Sequence, residues 1–112
     1  MNTKNPKMTP EAQLLAKELF KHQKKLRKDL LVTYKTLCEK AHVPFNRATI
    51  GGFLGEIAMW CRERSLPPIN ALAINKHDGK PGYNYTNAVG CSDDTWPSDI
   101  GKCLTSRYPS KP

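Results

Sequence analysis

No run of apolar residues in this chain approaches the roughly 18 that cross a bilayer. The lysines near the start lead into an amphipathic pattern and not into an apolar leader, so the cytoplasm is the expected compartment and no membrane partner is expected. Cysteines are few and scattered: Cys38, Cys61, Cys91 and Cys103 form no CxxC pair and have no Cys/His doublet beside them. Zinc-site spacing is therefore absent, and no metal or other cofactor is expected. In a reducing compartment the thiols stay reduced, and Cys38, Cys61 and Cys103 fall on apolar faces of predicted helices, where they act as small buried hydrophobes. Acids are the other shortage. Ten Asp/Glu stand against 18 Lys/Arg, a formal charge of +8. That balance favours a polyanionic partner, with nucleic acid first and an acidic protein surface behind it.

Most of the excess sits early: residues 1–35 hold nine Lys/Arg against three acids, and residues 36–112 hold nine against seven. At 112 residues the chain suits one domain with a single modest core. Residues 1–8 read as a flexible basic arm, 9–105 as the domain with its centre at 33–85, and 106–112 as a polar tail that frays.

Thr9-Pro10-Glu11 reads as a helix start, because a threonine oxygen caps free amides, proline suits the first turn and an acid complements the positive end. From Ala12 to Leu30 the positions Leu15, Leu19, Leu26 and Leu30 share a face with His22. Lys17, Lys21, Lys24 and Lys28 share the opposite one. That cationic stripe can lie along phosphates, on anionic lipid or in water, and lipid is the least favoured because no Trp or Phe cluster accompanies it. Thr33 then caps a helix from Tyr34 to about His42. Val43-Pro44-Phe45-Asn46 breaks it, with Phe45 plugging the angle between helices. Asn46 or Thr49 caps a third helix, from Arg47 or Ala48 to Arg64, which buries Ile50, Leu54, Ile57 and Cys61 and leaves Trp60 at the rim. Gly51, Gly52 and Gly55 each cost this helix about 1 kcal/mol. Either a closely packed helix or an approaching nucleic-acid backbone is expected to compensate.

Leu66-Pro67-Pro68 stops the third helix and turns the chain. Ile69 to Asn75 reads as a buried strand, His77-Asp78-Gly79 as a turn, and Lys80 to Tyr85 as a short edge strand limited by Pro81. Trp96-Pro97-Ser98-Asp99 starts a terminal helix carrying Ile100, Cys103 and Leu104. The order helix, turn, helix, strand, turn, strand is that of a winged helix. The expected fold class is mainly α with a small β-hairpin, a winged-helix-like single domain preceded by a basic amphipathic helix.

Several of these residues carry a resemblance: Thr33-Tyr34 opening one helix, Arg47-Ala48 opening the next, then Gly51, Leu54, Leu66-Pro67, Asn75, Gly79 and Gly82-Tyr83. Over about half of its length the chain resembles the C-terminal winged-helix domain of the alkylguanine-DNA alkyltransferases and alkyltransferase-like proteins. The resemblance implies that Tyr34 displaces the phosphate of a target nucleotide and that Arg47 fills the gap left in the duplex. The chain departs from the family at the reaction centre. Where the family carries Pro-Cys-His-Arg-Val, this sequence has Pro67-Pro68-Ile69-Asn70-Ala71, with no thiol nucleophile and no activating base, so alkyl transfer does not carry over. The pattern Leu66-Pro67-Pro68, apolar strand, Asn75, Gly79, Pro81-Gly82 also resembles short proteins of phages and mobile elements.

The function expected from this reading is non-enzymatic nucleic-acid binding, with DNA favoured. Asn46, Arg47 and Thr49 would reach base edges, while Lys76, Lys80 and the stripe Lys17, Lys21, Lys24 and Lys28 would meet phosphates. Two alternatives stand beside it. One is an effector that binds an acidic surface of a host or phage protein. The other is a small metal-dependent nuclease using His42 or His77 with Asp78, although a His-Asp pair at a tight turn suits turn chemistry, and Asp93, Asp94 and Asp99 suit loops and a helix start.

Overall fold

The computed structural model describes residues 8–25, 30–77, 79–82, 85, 91–92 and 94–112. Helix α1 spans Pro10–Lys25. It begins where the sequence places it, with Thr9 Oγ1 accepting from Ala12 N at 3.3 Å, while Glu56 accepts from Thr9 N at 2.8 Å and so clamps the cap to the third helix. Its buried face is Ala12, Leu15, Ala16, Leu19, Phe20 and Gln23. Among the described residues the helix reaches Lys25, and Leu30, its expected end, is not helical. The backbone carbonyl of Leu30 lies 3.0 Å from His22 Nε2, which holds the departing chain against the helix. Leu26 and Lys28 lie outside the described residues.

Strand β1 is Val32–Thr33 and runs directly into α2, Tyr34–Ala41. Thr33 caps α2 by accepting from Thr36 N at 3.2 Å. His42 ends it in the left-handed region at φ 60°, its N–H turned back to the last carbonyls. Helix α3, Arg47–Glu63, is capped by Asn46, whose Oδ1 accepts from Ala48 N at 2.7 Å. A 3-10 turn follows at Ile69–Leu72, then strand β2 at Ala73–Ile74, and α4 at Trp96–Thr105 closes the core. Among the described residues the domain is mainly helical, with one small sheet.

That sheet differs from the expected hairpin. Strand β2 pairs in parallel with β1, in the register Val32 to Ala73 and Thr33 to Ile74. The predicted turn does form: Asn75 N donates to Lys80 O at 2.7 Å, Gly79 N donates to Asn75 O at 3.0 Å, and Gly79 takes φ 68°. A returning strand does not follow among the described residues. Pro81 has no N–H to give, and the N–H of Gly82 goes instead to the Tyr34 hydroxyl at 2.5 Å. The first half of the predicted strand winds into the 3-10 turn because Ile69, Asn70, Ala71 and Leu72 are buried on all sides, with none of the alternation a half-buried strand needs. Leu31-Val32, expected as a mere connection, supplies the pairing partner.

A ladder of rings runs through the core. Tyr108 stacks on Phe20 at 5.4 Å between centroids, Phe20 meets Trp60 at 5.6 Å, and the Arg64 guanidinium lies 4.2 Å over the Trp60 ring. Two expectations change as a result. Trp60 is buried and not at the rim, and the segment expected to fray from Ser106 is pinned at Tyr108. The Tyr108 hydroxyl donates to Pro67 O at 2.6 Å, and Gln23 Nε2 donates to the carbonyls of Cys103 and Ser106. All four cysteines are buried, and none is joined in a disulfide. Burial pushes the Cys61 thiol up to about 11 and the Cys103 thiol up to about 12. Among the described residues no helix is long and apolar enough to cross a membrane.

Candidate nucleic-acid interface

The parallel pairing of β1 with β2 sets the N-terminal turn of α2 beside the loop that follows β2, and the approach to α3 closes the third side. Between them lies a cleft of about 450 Å³. Thr33, Tyr34 and Lys35 come from α2 and its cap. Phe45, Arg47 and Ile50 come from the start of α3, and Asn75, Lys76, His77 and Gly82 from the loop. Among these described residues there is no carboxylate; Asp78, next to His77, lies outside them. Two helix N-termini therefore open onto one concavity with three fixed cations, and both the backbone dipoles and the side chains favour an anion there.

Tyr34 braces the cleft. Its hydroxyl accepts the Gly82 N–H, and a Cβ built on Gly82 would come within 3.4 Å of that same oxygen. That distance is ordinary van der Waals contact, so the bond to Tyr34 and not a lack of space ties this residue to α2. At the loop's other end the side chain of Asn75 accepts from His77 N at 3.0 Å, an Asx turn that fixes Lys76 and His77 at the rim. Behind Tyr34 is a void of about 10 Å³ between Tyr34, Leu54, Gly55, Asn70 and Tyr85, the size of one water. Asn70 Oδ1, buried and without a hydrogen-bond partner, belongs to its lining side chain.

Of the residues the sequence singled out, the structure brings Tyr34, Arg47 and Lys76 together in this cleft. Asn46 and Thr49 sit beside it in the first turn of α3, and both are engaged in its cap: Asn46 through Oδ1, and Thr49 Oγ1 by donating to Asn46 O at 3.4 Å. Lys80 is exposed at the end of the loop, outside the lining. The lysine stripe is not a uniform face. Lys17 is exposed and Lys21 pairs with Glu18 at 3.6 Å, but Lys24 Nζ donates to Tyr108 O at 3.2 Å and to Pro109 O at 3.4 Å, which ties it to the tail. Lys28 lies outside the described residues.

Sequence reasoning missed three members of the lining: Lys35, His77 as a rim group, and Phe45. Phe45 is not buried in the angle between helices as expected; the residue is 41% exposed. Its position did carry a signal. Phe45 and Ile50 flank the Asn46 cap at the two positions of a hydrophobic staple, which sets the ring at the mouth of α3. His42 caps α2 on the exposed surface, and Asp99 is buried, accepting from the Tyr85 hydroxyl and from Thr95 Oγ1 at 3.0 Å. Asp78 and Asp93 lie outside the described residues. Among the described residues no three His, Cys, Asp or Glu side chains are grouped to hold a metal.

No protein family, curated protein or solved structure matches the chain.

Proposed function

We propose that this chain is a small, non-enzymatic nucleic-acid-binding protein, acting in the cytoplasm, that grips the phosphate backbone at the cleft between α2, α3 and the loop after β2. The observation that carries this reading is the convergence there of Lys35, Arg47 and Lys76 with two helix N-termini, without a carboxylate among the described lining residues. Lys17 and Lys21, exposed on α1, add a second cationic surface within the same small domain. DNA is favoured by the resemblance of the Tyr34 and Arg47 segments to the alkyltransferase-like domains. The family's reaction is not part of the proposal, because Pro68-Ile69-Asn70 stands where its nucleophile motif would be.

Cap geometry shapes the expected mode of binding. Asn46 and Thr49 are occupied in holding α3, which leaves Arg47 as the long donor in that first turn able to reach outward. One long donor reads little sequence, so binding to backbone and shape is expected, with strong salt dependence. Titration of labelled DNA across a salt series, with unlabelled random-sequence DNA as competitor, tests it. Submicromolar, competable binding at physiological salt supports the reading. Binding confined to low salt, or not displaced by random DNA, would end it and turn attention to an acidic protein surface as the partner.

A further inference from the structure

We infer that the cleft takes an unpaired base, stacked on Phe45, so that the preferred ligand is a single strand and not a duplex; the inference rests on the nucleic-acid reading above and adds the form of the ligand. The large apolar side chains exposed among the described residues are Leu14, Phe45 and Met59; Leu14 lies beside Lys17 and Lys111, but Phe45 is the aromatic one and shares its cleft with three cations. Its backbone is fixed on both sides. Val43 is buried with its N–H bonded to Cys38 O at 3.0 Å, Pro44 restricts the chain, and Asn46 O accepts from Thr49 N and Ile50 N at 3.1 and 3.0 Å. The ring is therefore carried on a backbone tied down on both sides and not on the tip of a loose loop.

The staple positions of Phe45 and Ile50 suit a contact at the start of α3, but do not account for a phenylalanine left 41% exposed in a cleft. Lys35, Arg47 and Lys76 line that cleft. An exposed aromatic face with guanidinium and ammonium groups around it is the arrangement that single strands use, since their bases present free π-faces and their phosphates follow at close intervals. A duplex keeps its base faces inside the stack and can offer this ring only sugar edges. The cleft's volume, about 450 Å³, falls in the range of small-ligand pockets, which suits one nucleotide unit and admits no duplex.

The test is fluorescence anisotropy with a labelled mixed-sequence DNA strand, its RNA counterpart and the corresponding DNA duplex. Wild-type protein is compared with Phe45→Ala, Phe45→Leu, which retains the staple without the ring, and Phe45→Trp. Expected are tighter binding of single strands than of duplex, an approximately tenfold loss for single strands in both the Ala and Leu variants, and a loss of under twofold for duplex. Phe45→Trp should keep single-strand affinity and lose indole emission when a strand binds. The DNA and RNA arms show which single strand is preferred. Duplex binding equal to or tighter than single-strand binding, or equal losses for both in Phe45→Leu, would overturn this inference and leave the broader reading standing. Failure of every nucleic acid to bind would overturn both.

Discussion

The hydroxyl of Tyr34 accepts a hydrogen bond from the backbone N–H of Gly82 at 2.5 Å, joining the first turn of α2 to the far end of the loop that carries Lys76 and His77. Tyr34→Phe removes the acceptor and leaves that N–H in a half-buried place. The expected cost is about 1 to 2 kcal/mol in denaturant unfolding. Amide exchange in residues 79–82 should quicken, and nucleic-acid affinity should fall with it because Lys76 loses its fixed position.

Gly52 and Gly55 give a second prediction. A Cβ built on either meets no atom within 4 Å, so the close packing of a neighbouring helix, which the sequence suggested, is not what keeps these two bare. Gly52→Ala and Gly55→Ala should each stabilise the protein by up to about 1 kcal/mol in thermal or chemical unfolding. A loss of affinity in a more stable variant would identify the bare helix face as a place where a ligand backbone approaches.

The lysines of α1 separate into two roles. Lys17→Ala and Lys21→Ala together should flatten the salt slope of binding by about 1 to 2 while leaving stability nearly unchanged. Lys24→Ala should lower stability by about 0.5 to 1 kcal/mol, because its ammonium holds the carbonyls of Tyr108 and Pro109, and should alter the slope less. Deleting residues 108–112 removes the stacked ring as well as the Tyr108 hydroxyl bond to Pro67 and should cost about 3 kcal/mol or more.

Alkaline pH should unfold the protein. Burial raises the Cys61 thiol to about 11 and the Cys103 thiol to about 12, from an ordinary 9.0, and raises the hydroxyls of Tyr85 and Tyr108 in the same direction. The folded state holds these protons more tightly than the unfolded chain. The associated stability is complete below about pH 9 and is lost as pH rises from there towards 12. Melting temperature should be flat from pH 7 to about 9 and fall above it. Below pH 9 the four buried thiols should react with a thiol reagent only after denaturation.

What could be read from the sequence was local. Thr9, Thr33 and Asn46 announce three helix starts because a cap involves only neighbours, and all three make their cap bonds. The period of Leu15 and Leu19 likewise places the buried face of α1. What was missed was long-range. A two-residue strand leaves no periodic trace, so the pairing of Val32 with Ala73 was hidden, and the hairpin that local turn signals favoured was drawn in its place. Tyr108, a single ring among Ser, Arg, Pro and Lys, gave no pattern by which its stacking on Phe20 could be foreseen. Within the cleft, Arg47 and Lys76 were singled out as cations at a helix start and beside a turn, while Tyr34 entered only through the resemblance to the alkyltransferase-like domains. Phe45 was assigned the opposite exposure, since its staple position does not account for its exposure.

The central claim is that the cleft's cations hold nucleic-acid phosphate. It is tested most directly by titrating wild-type protein and the Arg47→Ala/Lys76→Ala double variant against the same labelled, random-sequence DNA over a salt series, after circular dichroism shows both folded. The account predicts weaker binding at every salt concentration and a plot of log affinity against log salt that is shallower by about 1 to 2 for the double variant. Equal affinity and an equal slope in the two proteins would contradict it.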